Sequence, residues 1–294
     1  MNNVRWSSLT FRRTYLFVLL LLVVTLLVNF IFQPNLFERG TLNSNMRVFL
    51  PSILLAAGQA VVVLVGGIDI SVGSIVSIVN TILVTQLGAN ASPEQTALWM
   101  IVVLVVGMAA GALNGFFAAF LRLQPIITTY ATSFLFAGIA LYILPNPGGA
   151  IPATLSAFYR DTTPLGLPLA FFVIAVILIA WYLVQQTRYG RYLYAVGGQA
   201  EAAYATAVPV NLVLFSTYVI SGLMAALAGI ALTLLVSSGN AANGDALTLP
   251  SVSAVVIGGT ALRGGIGGVA GPIIGALILG LFKNIISFAN VDLW

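Results

Sequence analysis

A chain of 294 residues that is 60% hydrophobic and only 6% Asp, Glu, Lys and Arg lacks the charged skin of a soluble domain, in which about a quarter of residues are charged. Its 11 basic and 7 acidic residues are scattered, without the basic stripe that nucleic-acid binding needs. The absence of cysteine and histidine excludes disulfide staples, thiolate nucleophiles, His-ligated haem and the usual zinc sites, and no Asp pair or Ser/Lys dyad at useful spacing marks an intramembrane enzyme.

Apolar runs of about 17 residues or more, the length a bilayer core demands, begin with Tyr15 to Phe32. Arg5, Arg12 and Arg13 precede this run as in a signal peptide, but it is too long for such a segment and no small-residue cleavage site follows, so it reads as a retained first span. Further spans are predicted for Val48 to Val65, Ser71 to Leu87, Ala97 to Leu121, Ile126 to Leu144, Pro168 to Val184 and Asn211 to Val236. The last two, Leu247 to Leu262 and Val269 to Ala289, are split by the hinge Arg263-Gly264-Gly265-Ile266-Gly267-Gly268. The first of that pair is barely long enough to cross, as expected of a half-helix or re-entrant segment.

In lipid every backbone polar group must find an internal partner, so irregular chain at membrane depth survives only against protein or a water-lined cavity. Two Gly-rich breaks stand out: Gly66-Gly67-Ile68-Asp69-Ile70-Ser71-Val72-Gly73, and Gly258-Gly259-Thr260 on to Gly268. Broken helices in the two halves of a transporter point to moving parts or a solute site. Equally, Asp69 or Ser71 could simply cap the third span, and both readings stay open. Asp69 is the one acid close to a span boundary within the bundle, which makes it a functional candidate with Ser71 or a nearby basic group as partner. Gln59, Asn80, Asn114, Gln124 and Thr128 are further candidates for lining a solute path, because polar groups at membrane depth tend to face the interior. Each could instead be a helix–helix hydrogen bond, and the small residues Ser221-Gly222, Gly229, Gly271, Gly275 and Gly280 read as letting helices approach closely.

Counting Lys and Arg in short loops sets orientation. With the N-terminus inside, the inner loops carry Arg5, Arg12, Arg13, Arg122, Arg188, Arg191 and Arg263, and the outer ones Arg39, Arg47 and Arg160. The predicted outer loop Pro145 to Leu167 is the largest, and a solute-delivering partner would dock there. The polar stretch Thr187 to Val210 forms most of the longest inner loop, and its Ala-rich tail Gln199 to Thr206 favours a short surface helix, either a plain connection or a piece that sits in a partner's cleft.

Five phrases in register carry a resemblance: Gly66-Gly-Ile-Asp-Ile-Ser-Val-Gly73, Asn114-Gly115, Thr187-Arg-Tyr-Gly-Arg191 with Tyr194-Ala-Val-Gly-Gly198, Ser221-Gly-Leu223, and Val255-Val-Ile-Gly-Gly-Thr260 with Gly264-Gly265. From about residue 45 to 290 the chain resembles the ribose/xylose/arabinose permease family of ABC importers. The resemblance implies an all-α polytopic transmembrane helical bundle of about 9–10 spans with broken helices, of the cobalamin-importer (type II) architecture, forming one permease domain over 1–294. It implies a bacterial inner-membrane location with a cytoplasmic N-terminus, and as partners a second permease copy or paralogue, cytoplasmic ATPase subunits, an extracytoplasmic binding protein and a small sugar-like solute. The chain has no phosphate-cradling Gly-x-x-x-x-Gly-Lys-Ser/Thr and needs no cofactor of its own, so ATP is expected on the partner.

By the same resemblance, Tyr189, Gly190 and Arg191, with Glu201, Ala202, Ala203, Ala205, Thr206, Ala207 and Val208, form the surface that couples to the ATPase, and Gln59, Asp69, Ser71, Asn80, Asn114, Gln124 and Thr128 the gate or path. Three departures are visible. Ala207 stands where the family usually has Gly, Tyr204 where it has a basic residue, and Thr248-Leu249-Pro250 where it tends to carry Glu-Leu-Asp. Family members also usually continue past the equivalent of Trp294 into one more span, so a longer natural protein is expected. Related importers of nucleosides, branched-chain amino acids or furanosyl signals, and a secondary carrier with Asp69 as proton site, are the alternatives.

Overall fold

The computed structural model describes residues 3–289, with side chains from residue 16 onward. Twelve α-helices and no sheet make up the described part: α1 (Asn3–Phe32), α2 (Arg39–Leu64), α3 (Val72–Gln86), α4 (Pro93–Ala119), α5 (Pro125–Ile143), α6 (Ala153–Asp161), α7 (Leu169–Gln186), α8 (Arg188–Gly198), α9 (Ala200–Ala205), α10 (Val210–Val236), α11 (Asp245–Ile257) and α12 (Ala270–Phe288). Every apolar stretch predicted to span holds a helix. Six of the twelve are long and apolar enough to cross a bilayer, and the protein is an all-α polytopic membrane bundle.

Helix starts follow local chemistry. Ser92 and Gln95 form a reciprocal capping box at the start of α4, with Pro93 in the first turn, which satisfies two amides that the helix leaves open. Pro125 opens α5, and α7 and α10 follow Pro168 and Pro209, positions where the missing N–H is no loss. The 3-10 turn Pro164–Gly166 links α6 to α7.

The centre of the bundle is α2 and α3. Ile53, Val62, Val63, Ile75 and Val79 are wholly buried, enclosed by α4, α5, α10, α11 and α12. Close approach depends on small residues: Gly107 and Gly111 of α4 lie against Gly222 of α10, where an added Cβ would strike backbone oxygens. The outward faces of α1, α4, α5 and α7 expose Leu16, Ile101, Tyr130 and Val176, as lipid-facing surfaces do.

Two elements differ from the expectation. The loop 145–167 contains α6, pinned to the start of α2 by Tyr159, whose hydroxyl donates to Arg47 O at 2.8 Å, and by Asn43, whose amide donates to Arg160 O at 2.8 Å. Burial holds the Tyr159 hydroxyl well above its ordinary pKa, the Arg47 charge opposing only in part. The polar stretch after Thr187 is not loop up to its Ala-rich tail: α8 fills it, and α9 falls in the tail where a short helix is expected. Thr187 caps α8 by accepting from the Gly190 N–H at 3.2 Å, and Gly190, Leu193 and Val196 turn one side of it into the bundle. A search for long apolar runs passes over a helix this short with one apolar side.

Candidate functional site

The segment between α2 and α3 is held by one buried network around Asp69. Its Oδ1 accepts from the Ser71 N–H at 3.0 Å and the Ser71 hydroxyl at 2.7 Å, and its Oδ2 from the Ser221 hydroxyl of α10 at 2.9 Å. Asn114 of α4 donates to Ser71 Oγ at 2.7 Å, lies 3.5 Å from Asp69 Oδ1, and accepts from the Thr132 hydroxyl of α5 at 2.6 Å. Gln59 of α2, its amide oriented as its surroundings require, accepts from the Asp69 N–H and donates to the Asp69 carbonyl, both at 3.1 Å. The Thr129 hydroxyl accepts from the Ile70 N–H at 3.0 Å and stands 3.1 Å from Ile68 O.

The capping reading is thereby corrected. Ser71 is the residue before α3, but neither its side chain nor that of Asp69 accepts from the first-turn amides of that helix. Both side chains instead tie an irregular segment to α2, α4, α5 and α10. Asp69 finds Ser71 as expected but no basic partner, and the one ion pair among the described residues is Arg160 with Asp161.

Of the path candidates, Gln59, Asp69, Ser71 and Asn114 are brought together. Asn80 belongs to a second cluster, on the α6 side of the bundle. Its Nδ2 donates to Thr233 Oγ1 at 3.0 Å and Ser238 O at 3.1 Å, and its Oδ1 accepts from the Asn240 N–H at 3.1 Å and Asn243 Nδ2 at 3.0 Å. Gln124 is exposed at the start of α5, away from both clusters. Thr128 is buried, with a hydroxyl that meets no partner.

The second cluster draws the chain after α10 back into the bundle. Residues 237–244 descend along α3 from Asn80 to Gly73, where Gly244 packs backbone on backbone and donates its N–H to Ser77 Oγ at 3.0 Å. Seven residues of α3 separate those levels, about 10 Å at the helical rise. Only then does α11 begin, so it is a half-helix of 13 residues.

At the opposite end the two breaks meet. Gly264 lies against Gly66 N and Gly197 O, Gly265 lies against Gly198, and the Gly265 N–H donates to Leu64 O at 2.9 Å. Gly66, Gly264 and Gly265 have φ of 81°, 85° and 74°, a region open chiefly to glycine. Tyr194 of α8 closes the joint, its hydroxyl donating to Gly267 O at 2.9 Å and accepting from Gln185 Nε2 at 3.0 Å. Burial raises the pKa of this hydroxyl. Three Gly-Gly pairs distant in sequence thus share one joint. Their recurrence was visible in the sequence; their meeting was not.

The coupling candidates lie just beyond. Tyr189 is half-buried with its hydroxyl 2.7 Å from Ser216 Oγ, Gly190 is packed against Val184 O, and Arg191 is exposed. In and after α9, Ala203 and Val208 are buried and hold the segment to the body, while Glu201, Ala202, Tyr204, Ala205, Thr206 and Ala207 are exposed. Ala207 has φ 61°, a left-handed conformation that costs a non-glycine residue about 1–2 kcal/mol.

Comparison with known proteins gives the family of the chain. Residues 42–294 match the family model described as the permease component of the branched-chain amino acid transport system. The chain is 32% identical to the ribose import permease protein of Escherichia coli K12 over 282 residues, which is 94% of this chain and 85% of that protein. It is 31% identical to the D-allose transport system permease protein of the same organism over 86% of this chain and 78% of that protein. To the fructose import permease protein of Rhizobium meliloti it is 35% identical over 78% and 66%. No solved structure matches the chain.

Proposed function

This chain belongs to the permease-component family of branched-chain amino acid transport systems, and from that premise we propose that it is the membrane subunit of an ATP-driven importer for a small sugar. Support for the sugar comes from the ribose, D-allose and fructose permeases to which it is similar. Such a subunit transports and does not hydrolyse; ATP is bound and split by a cytoplasmic partner.

The observation that carries the reading is the glycine joint. α9 offers an exposed edge of Glu201, Ala202, Tyr204 and Ala205, and α8, from which it continues, packs Gly197 and Gly198 into the joint that holds the ends of both helix breaks. A push on α9 by an ATPase is delivered through backbone contacts to the segment that carries Asp69 and to the far end of α11. Backbone packed on backbone transmits displacement with little slack, because interiors are close-packed.

In this reading α9 faces the cytoplasm and α6 the outside, the N-terminus is cytoplasmic, and α6 receives the extracytoplasmic binding protein. Exposed Phe158 and Leu165 offer that protein an apolar contact. A second permease copy or paralogue completes the assembly. Gln59, Asp69, Ser71 and Asn114 brace the break, and Asn80 holds the re-entrant segment.

The test is co-purification through a tag on the candidate ATPase. The expected outcome is that the chain is retained, and that Glu201→Arg combined with Ala205→Trp abolishes retention while Val176→Ala on the lipid face does not. Solute flux by the chain alone, without association, overturns the reading in favour of a carrier.

A further inference from the structure

Asp245 opens α11 at a place where a charge needs an explanation. Gly244 is seated on Gly73 in the first turn of α3, and that turn follows directly on the Asp69 segment, which meets α10 at Ser221. Ser221 lies about 16 Å along an α10 that is about 40 Å long. Asp245 is therefore near mid-depth, and from there α11 runs about 20 Å to the glycine joint.

At that depth the Asp245 side chain is exposed. Among the described residues no side-chain hydrogen bond and no ion pair reaches its carboxylate. An acid in the first helical turn is favoured by the helix dipole, which accounts for its tolerance there but supplies no solvation. A carboxylate at membrane depth with no partner in its own chain faces a water-filled cavity or a neighbouring subunit, not lipid. Leu249, Ser253 and Val256 continue the same exposed stripe at helical spacing, Leu249 at 70% exposure.

We propose that the α11 stripe of Asp245, Leu249, Ser253 and Val256 is a wall of the aqueous solute path, and that the Asp245 carboxylate accepts hydrogen bonds from the hydroxyls of a passing polyhydroxylated solute. The nature of the solute rests on the import reading above; the presence of water does not. A single exposed carboxylate with no enclosing partners holds a sugar weakly, as a path requires.

The chain has no cysteine, so single-cysteine variants report cleanly. In membranes containing the assembled protein, Leu249→Cys and Ser253→Cys react with a membrane-impermeant cationic thiosulfonate and Val176→Cys on α7 does not. The Asp245 charge makes the cationic reagent outpace an anionic one at Leu249→Cys, and adding Asp245→Asn lowers that ratio about tenfold, as expected for one charge removed a few ångströms away in water. Silence at both 249 and 253, or a ratio unmoved by Asp245→Asn, overturns the wall.

Uptake of D-ribose, D-allose and D-fructose, measured in Asp245→Asn with ATPase co-purification intact, falls about tenfold, the equivalent of one charge-assisted hydrogen bond. Wild-type uptake in that variant overturns the carboxylate's role. Failure of the unmodified protein to take up any of the three sinks the sugar reading instead, and leaves the wall to the thiol measurements.

Discussion

Asp69 and Asp245 stand in parallel places, each just before or at the start of a half-length helix, α3 and α11, and each near the middle of the bundle. Their surroundings are opposite. Asp69 is wholly buried and meets hydroxyl and amide donors from its own segment and from α10. Asp245 is exposed and meets none. The first carboxylate has its solvent built from protein and acts as a brace; the second depends on water and marks where water is. Polarity at membrane depth therefore does not by itself identify a path. Unsatisfied, accessible polarity does.

The contrast is broken most forcefully at the brace. Asp69→Ala strands the Ser71 and Ser221 hydroxyls and the Ser71 N–H, and each buried group left without a partner costs about 1–3 kcal/mol. A total loss of about 3–5 kcal/mol is expected, read as a fall of about 10 °C or more in the thermal midpoint of the purified protein. A midpoint within about 2 °C of the parent would mean that Asp69 is not structural and would return it to the path.

The second-largest effect is at Asn80, the counterpart of this brace on the α6 side. Asn80→Ala removes the acceptor of the Asn240 N–H and the donor to Ser238 O, a loss of about 2 kcal/mol. Three of the four Asn80 contacts are to the re-entrant segment, and Thr233 of α10 keeps its own bond to Gly229 O, so hydrogen exchange should accelerate over residues 238–244 and leave α3 and α10 protected. Uniform acceleration would show that the segment does not open on its own.

Much of this was legible in the sequence, and the reasons are physical. Runs of apolar residues long enough for a bilayer fix the spans, since lipid tolerates little else. Thus α2, α4, α7, α10 and α12 were found, and the shortness of α11 followed from the Gly-rich hinge behind it. What was missed, α6 and α8, are short helices with one apolar side, for which run length is the wrong measure.

At the site, Gln59, Asp69, Ser71 and Asn114 were named singly because polar residues in spans are rare enough to notice. Ser221, Thr129 and Thr132 were passed over as partners, because hydroxyls bond backbone within most helices and carry no signal until another helix is placed beside them. Asp245 went unremarked. By sequence it lies in the stretch Ser237 to Ala246 that reads as an outer loop, and only the contact of Gly244 with Gly73 places it at depth.

A smaller effect sharpens the comparison by locating strain outside both breaks. The positive φ positions in the breaks are glycines, whereas Ala207, beside the exposed edge of α9, takes φ 61° without that freedom. Ala207→Gly is expected to stabilise the protein by about 1 kcal/mol, raising the midpoint by about 2–4 °C. Since Ala207 touches neither carboxylate network, the gain should add to the loss in Asp69→Ala within about 0.5 kcal/mol.

The smallest effect expected is the most discriminating. If Asp245 is solvated by water and not by protein, exchanging its carboxylate for an amide of the same shape leaves no buried group orphaned, and Asp245→Asn should change stability by about 0.5 kcal/mol, as surface substitutions do. Loss of the charge at the first turn of α11 removes a dipole contribution of at most about 1 kcal/mol, which sets the upper bound. A midpoint shift as large as that of Asp69→Ala would mean that Asp245 is satisfied by protein in the assembled state, so that both aspartates are braces and water enters elsewhere. A neutral shift combined with altered thiol reactivity at 249 keeps the two carboxylates apart, one holding the broken helix in place and the other facing what moves past it.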